Sequence, residues 1–218
     1  MASLLNQFLD PLFDPQRADE SGLVALGGDL SSARLLCAYR SGVFPWYSDG
    51  LPILWWSPDP RAIFELEGLH VSRRLRRTIR SGRFEVTINR DFAAVMHGCA
   101  QRREGTWITR DMIAAYTMLH GLGHAHSIEV WAGDVLAGGL YGVALGGLFA
   151  GESMFTRSRD ASKVALASLI DRLRERRFQL FDIQYLTEHT ARLGAIEIAR
   201  SEYLSRLREA LSVKTSFA

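Results

Sequence analysis

The chain has 218 residues, of which 47% are hydrophobic and 23% charged, and its formal net charge is only +2. That is the composition of an ordinary globular protein long enough to bury a sizeable core, and it excludes a polycation held to its partners by bulk charge. The opening stretch MASLLNQFLDPLFDPQ has early acids, no basic leader and no long apolar run, so neither a signal peptide nor a membrane span is expected. Cys37 and Cys99 stand far apart with no CxxC pattern, which fits a reducing cytoplasm and argues against a disulfide framework or a cysteine zinc site.

Along the chain, GLVALGGDLSS opens on a Gly-rich turn, after which Asp29 or Ser31 caps a short helix with Leu35, Leu36 and Tyr39 on its apolar face. Pro45, Pro52, Pro58 and Pro60 then forbid regular helix, so LPILWWSPDPRAIFEL reads as a rigid, aromatic connection. A domain boundary near Arg61 divides a small domain, 1–61, from a larger one, 62–218. LHVSRRLRRTIRSGR predicts a helix capped by Ser72, with Leu75 and Ile79 as its apolar stripe. FEVTIN is a strand, and Asp91 begins a helix through FAAVMHGCAQR. After the loop REGTWITRD, MIAAYTMLHGLG is a helix ended by Gly121 or Gly123.

HSIEVW alternates as a strand, Ala132-Gly133-Asp134 supplies a hairpin turn, and further apolar strands flank Gly146-Gly147. In DASKVALASLIDRLRERR, Leu166, Leu169, Ile170 and Leu173 fall at i, i+3, i+4 and i+7, an amphipathic helix. QLFDIQYLTEH is a strand and EYLSRLREALS the last helix. This order predicts an α+β (mixed α/β) fold with a central, largely antiparallel sheet. The amphipathic helix between LFAGESMF and LFDIQY fits a crossover between parallel strands.

Asp182 and Gln184 interrupt an apolar strand. Alternation sets them on one face, with Phe181, Ile183 and Tyr185 on the other, either as a satisfied polar pair or as a pair lining a site. Glu152 is another acid in an apolar strand. Alternation places it beside Ala150 and Met154 unless a bulge at Gly151 breaks the rule. It suits a salt bridge to an arginine as well as a site. Together these acids and the amide could handle a cationic amine and its proton.

Arg73, Arg76, Arg77 and Arg80 share one helical surface, in a run with Arg74 and Arg83 and no interleaved acid. Such a stripe is either a solvated face or a set of phosphate contacts. Trp46, Tyr47, Trp55, Trp56 and the loop residue Trp107 either plug an interface or build a pocket on which a base stacks. His124 and His126 share a face but lack a third ligand, so no metal site is expected, and His189 suits a structural hydrogen bond. There is no GxSxG, P-loop or Rossmann fingerprint.

The strings GLVALGGDLS, GVFPWYSDGLPILWWSPDPR, EGTWITRDM, LGHAHSIEVW, GGLYGVALGGLFAGESMF and DIQYLTEHTARLGA, in this order and spacing, closely resemble the leucyl/phenylalanyl-tRNA–protein transferases, bacterial enzymes of the N-degron pathway. The resemblance runs from about Gly22 to Tyr203. It implies a cytoplasmic, monomeric enzyme with no cofactor, metal or membrane association. Such an enzyme moves Leu, Phe or Met from aminoacyl-tRNA onto proteins whose N-terminal residue is Arg or Lys. The implied fold is a small N-terminal domain followed by a GNAT-like acyltransferase domain. After LFAGESMF, however, the turn reads TRSRDAS and not the Gly-rich pyrophosphate loop of acetyl-CoA enzymes with that fold.

By the same resemblance, Trp46 and Trp107 lie around the terminal adenosine and aminoacyl group, and Phe149, Met154 and Leu140 near the aminoacyl moiety. Glu152, Asp182 and Gln184 fall on the catalytic positions, and Arg73, Arg76, Arg77, Arg80 and Arg83 on the basic region that meets the acceptor stem. The expected roles are Asp182 orienting Gln184 and drawing off the proton, Gln184 contacting the attacking amine, and Glu152 holding the donor's ammonium.

Overall fold

The computed structural model describes residues 13–101 and 106–218; the stretch read for a leader, up to residue 12, and the start of the loop expected over 103–111 lie outside them. Leu23–Leu26 (β1), Phe44–Pro45 (β2) and Leu54–Trp56 (β3) form a small antiparallel sheet in the order β1-β3-β2. The connection expected to be irregular therefore carries short strands. Its prolines do not prevent this because Pro45 closes β2, while Pro52 and Pro58 flank β3, where no ladder N–H is required. Between β1 and β2, helix α1 (Ser32–Arg40) follows an Asp29 carboxylate that accepts from the Ser31 N–H at 2.9 Å.

Arg61–Phe64 (β4) enters a second sheet with Glu85–Ile88 (β5), Ala125–Ala132 (β6), Val135–Leu145 (β7), Leu148–Thr156 (β8), Leu180–Gln184 (β9) and Ile196–Ile198 (β10). Its order is β10-β4-β9-β8-β7-β6-β5. Every described pairing is antiparallel except β8 with β9, which are parallel. The chain between them is the expected crossover helix α5 (Ala161–Glu175). Helices α2 (Arg73–Arg80), α3 (Phe92–Ala100) and α4 (Arg110–Gly121) begin at side-chain caps: Ser72, Asp91 and Thr109 accept from the N–H groups of Leu75, Ala94 and Met112. The short α6 (Glu188–Ala191) and the C-terminal α7 (Arg200–Ser212) complete the chain.

Helix α5 lays Leu166, Leu169, Ile170 and Leu173 on one face of the large sheet, against Ile128, Val130, Leu140 and Phe149. On the other face, Phe92, Val95, Met112 and Tyr116 pack into one core with Leu35, Tyr39, Phe44 and Trp55. The N-terminal sheet and helix thus share a core with the larger sheet. In α2 only Leu75 is buried. Ile79, expected on the same stripe, is 41% exposed because the helix ends one residue later and leans on its neighbours through its first turn.

The site is positioned by a failure of pairing. β8 and β9 run in register at Leu148↔Leu180, Phe149↔Phe181 and Ala150↔Asp182, and their pairing stops there. On β8, Tyr141 pairs with Ser153 but Gly142 with Gly151, so Glu152 is the extra residue of a bulge. The bulge considered at Gly151 is thus present, one residue on. On β9, Gln184 adopts φ 60°, the left-handed region that non-glycine residues occupy only when their surroundings hold them there. Bulges re-aim side chains and end pairing, and here both strands turn aside at the same level.

Candidate active site

A cavity of about 190 Å³ opens between the parted ends of β8 and β9. Leu140, Met154, Phe64 and Phe181 supply apolar wall; Glu152 and Gln184 supply the acid and the amide. A larger groove of about 810 Å³, edged by Arg40, Arg200 and Arg208, lies elsewhere and contains none of these groups.

Asp182 does not line the cavity. Ile63 pairs with Asp182 while Ala62 pairs with Gln184, so Ile183 is an extra residue and alternation breaks. The expectation that Asp182 and Gln184 share a face is corrected accordingly: Gln184 joins Phe181, Ile183 and Tyr185 at the cavity, and Asp182 points away from it. Asp182 is 1% exposed, and its carboxylate is fully engaged. Arg61 grips it with both arms of its fork, Nε to Oδ1 at 2.8 Å and an Nη to Oδ2 at 2.7 Å. The Tyr203 hydroxyl donates to Oδ2 at 3.0 Å, and the Gln184 backbone N–H donates to Oδ1 at 3.0 Å. This last bond, from an acid to an N–H two residues on, is an Asx-type turn, and it holds Gln184 in its left-handed conformation.

Arg61 is equally buried. Its guanidinium lies over the rings of Phe44 and Tyr203, at 4.8 and 4.4 Å from their centroids, and donates to Gly42 O at 3.1 Å. Burial is the largest single influence and opposes its charge, but the Asp182 carboxylate, with Tyr203 and Glu152 adding to it, raises its pKa above the ordinary arginine value. One side chain therefore ties the N-terminal unit, β4, β9 and α7 to the residue that sets the Gln184 backbone.

The Gln184 amide is oriented by carbonyls. With Nε2 donating to Gly151 O at 2.9 Å and Ile183 O at 3.0 Å, both hydrogens are satisfied. The reverse orientation brings Nε2 to 3.4 Å from Glu152 Oε1 but presses the amide oxygen against two carbonyl oxygens. The first is favoured, because two acceptors in contact repel. It turns the amide oxygen toward the Glu152 carboxyl.

Glu152 is half-buried and accepts from the Tyr116 hydroxyl at 3.3 Å; that hydroxyl is bonded in turn to Tyr39. Burial lifts the Glu152 pKa to about 8, with the Asp182 charge adding to it and Tyr39, Tyr116 and Arg61 opposing. Burial also raises Tyr39 and Tyr116 well above the usual tyrosine value, so both stay protonated.

The other expected residues divide. Leu140 and Met154 line the cavity, whereas Phe149 lies fully buried behind it, its ring edge-on to Phe181 at 5.9 Å. Trp46 is 42% exposed and packs on Tyr185 at 5.4 Å, which places it beside a cavity residue. Trp107 is half-buried against the N-terminal core and is not part of the cavity wall. Arg73, Arg76, Arg77 and Arg80 converge on an exposed depression of about 400 Å³. Arg83 instead stacks on Phe84 at 4.8 Å, and Arg74 pairs with Asp160 at 3.0 Å.

Burial lowers the His126 pKa to about 4, and its Nδ1 is bonded to the Asn89 amide. Among the described residues no group of acids, histidines and cysteines is arranged to hold a metal ion, and no helix is long and apolar enough to cross a membrane. Sequence reasoning missed Arg61, Tyr39, Tyr116 and Tyr203. The arginine salt bridge weighed for Glu152 is made instead by Asp182, and nothing local singles out Arg61 as its partner.

Comparison with known proteins matches residues 28–59 to the leucyl/phenylalanyl-tRNA protein transferase N-terminal domain, and residues 63–208 to the leucyl/phenylalanyl-tRNA protein transferase domain. Similar proteins carrying the name leucyl/phenylalanyl-tRNA–protein transferase include one from Anaeromyxobacter sp. (strain Fw109-5), 55% identical over 93% of this chain and 88% of its own length. Another, from Solidesulfovibrio magneticus, is 53% identical over 92% and 83%, and one from Escherichia coli O1:K1 / APEC is 56% identical over 88% and 82%. The matches span the small sheet and the parted strands alike: the chain belongs to the leucyl/phenylalanyl-tRNA–protein transferase family.

Proposed function

We propose that this chain is a cytoplasmic, monomeric aminoacyltransferase that moves Leu, Phe or Met from aminoacyl-tRNA to the α-amine of proteins beginning with Arg or Lys, with no cofactor. The new peptide bond marks those proteins for degradation. The observation that supports this reading is an apolar cavity with an acid and a locked amide in its wall, in a chain that also carries an exposed arginine surface on α2.

An α-amino group has a pKa of about 7.7–8.0, so a useful fraction is already neutral near pH 7. Holding amine and ester in attack geometry is worth about 7–11 kcal/mol, whereas a positioned base adds roughly 10²–10⁴-fold. Positioning dominates. Asp182, saturated by Arg61, Tyr203 and its own chain, serves as a positioning residue for Gln184, whose amide oxygen meets the attacking amine. Leu140 and Met154 form the side-chain slot, Phe149 backs it, and Trp46 and Trp107 flank the terminal adenosine.

A slot of this kind discriminates single methylenes by only about 1–3 kcal/mol, which suits several unbranched or γ-branched donors. The test is to incubate the protein with tRNA carrying labelled Phe and a peptide beginning with Arg, then one beginning with Asp. Label should join the Arg peptide and not the Asp peptide, and Val-tRNA should serve poorly in place of Phe-tRNA. Equal labelling of both peptides, or Val transfer as fast as Leu, would overturn the reading.

Arg73, Arg76, Arg77, Arg80 and Arg83 are assigned to the tRNA backbone. Replacing Arg76 and Arg77 by Ala should weaken tRNA binding and make log K less steep in log salt, by about 0.7–0.9 for each phosphate left without its arginine. An unchanged salt slope would return this face to solvent.

A further inference from the structure

Resting on the aminoacyl transfer just assigned, we propose that Glu152, entering the reaction as a neutral acid, carries the proton from the attacking amine to the departing ribose oxygen. Asp182 is excluded from that task by geometry. It is buried away from the cavity, and both its oxygens are already held by Arg61, Tyr203 and the Gln184 N–H.

Gln184 is excluded by chemistry, since an amide is a very weak acid and a very weak base, and its Nε2 hydrogens are committed to Gly151 O and Ile183 O. Its oxygen then faces Glu152 Oε1 across 3.4 Å, a separation at which two acceptors repel unless a proton sits between them. The arrangement calls for a hydrogen on Glu152. Among the described residues it is also the only carboxyl that lines the cavity.

The groups facing it agree. Tyr116 from α4 and Tyr39 from α1 form a hydrogen-bonded chain to Oε2 and stay protonated. Asp182 on β9 opposes a second negative charge, while Arg61 on β4, which favours one, is already paired with Asp182. Tyr141 and Tyr185 are the other ionisable side chains in the wall. A proton that leaves near pH 8 is matched to general acid–base work at physiological pH.

The step balances. The amine lone pair attacks the ester carbonyl carbon, forming the C–N bond, and the C–O bond breaks with its electron pair leaving on the ribose oxygen. Glu152 gives its proton to that oxygen. The carboxylate then takes the proton that the nitrogen sheds on becoming an amide, and Glu152 ends protonated as it began.

The experiment compares wild type and Glu152→Gln in single-turnover transfer across pH, with donor affinity measured separately. The wild-type rate should rise as the acceptor amine loses its proton, near its pKa of about 7.7–8.0. It should then fall as Glu152 ionises, at about 8. Glu152→Gln should be slower by roughly 10²–10⁴-fold and should lack the alkaline fall, with donor affinity nearly unaltered. A rate close to wild type, or the same alkaline fall in the variant, overturns the proposal.

Infrared spectra of the ligand-free proteins at neutral pH give a readout independent of turnover. The carbonyl stretch of a protonated carboxylic acid should appear in the wild-type minus Glu152→Gln difference. A wild-type protein that transfers normally without that band defeats this proposal alone. One that shows the band and transfers nothing defeats the assigned activity, and this role with it.

Discussion

Arg61→Ala should destabilise the protein by about 3–5 kcal/mol, because it strands the Asp182 carboxylate in a site that is 1% exposed. The loss has identifiable parts: a bidentate pair, a donor to Gly42 O, and a cation between the rings of Phe44 and Tyr203. Arg61→Lys should recover little, since an ammonium cannot reproduce a planar two-armed contact. Denaturant unfolding reads the effect, and a change below about 1 kcal/mol, the range of exposed ion pairs, would show that the pair is not holding the sheets together. Replacing both partners by apolar residues sharpens the point. A double variant Arg61→Met with Asp182→Leu should regain much of the stability, because no buried charge is left alone. It should not regain transfer, because the Gln184 N–H has lost its acceptor.

Gln184→Ala should cut turnover roughly 10²–10³-fold, the usual cost of removing one preorganised hydrogen-bonding group from a reacting centre. On the proposed mechanism the side chain acts through its amide oxygen, while its Nε2 fixes that oxygen by donating to Gly151 O and Ile183 O. Donor affinity should hardly change, because the apolar walls remain. Asp182→Ala should lower turnover as well, but together with a large loss of stability that Gln184→Ala lacks. Comparing the two by single-turnover kinetics and melting separates positioning from direct contact. Near-normal rates in Gln184→Ala would remove it from the reaction.

Much of this architecture could be read in the sequence. The spacing of Leu166, Leu169, Ile170 and Leu173 announced the crossover helix, and the turn at Gly133 the hairpin of β6 and β7. The arginine surface followed from helical spacing alone, apart from Arg83, which lies beyond the end of α2. The acids were visible as interruptions of apolar strands, but their orientation was not. Asp182 and Arg61 are 121 residues apart, and a local pattern cannot choose one arginine at that distance.

The left-handed turn at Gln184 was also hidden, because φ 60° is usually advertised by Gly or Asn. The signal that was present, an Asp two residues ahead of the turn, is shared by many strands that do not turn. The short strands β2 and β3 escaped notice because prolines at strand ends look the same as prolines in a loop, and β1 because its flanking glycines read as a turn.

The central claim is that the reacting aminoacyl group sits between the parted ends of β8 and β9. It is tested most directly by filling that space. Met154 is half-buried in the cavity wall, and Met154→Trp should project bulk into the slot with little strain elsewhere. In single-turnover transfer of labelled Phe to an Arg peptide, this variant should run about 10–200-fold slower than wild type while melting and binding tRNA normally. A folded Met154→Trp protein that transfers Phe at the wild-type rate would mean that the donor side chain lies somewhere else.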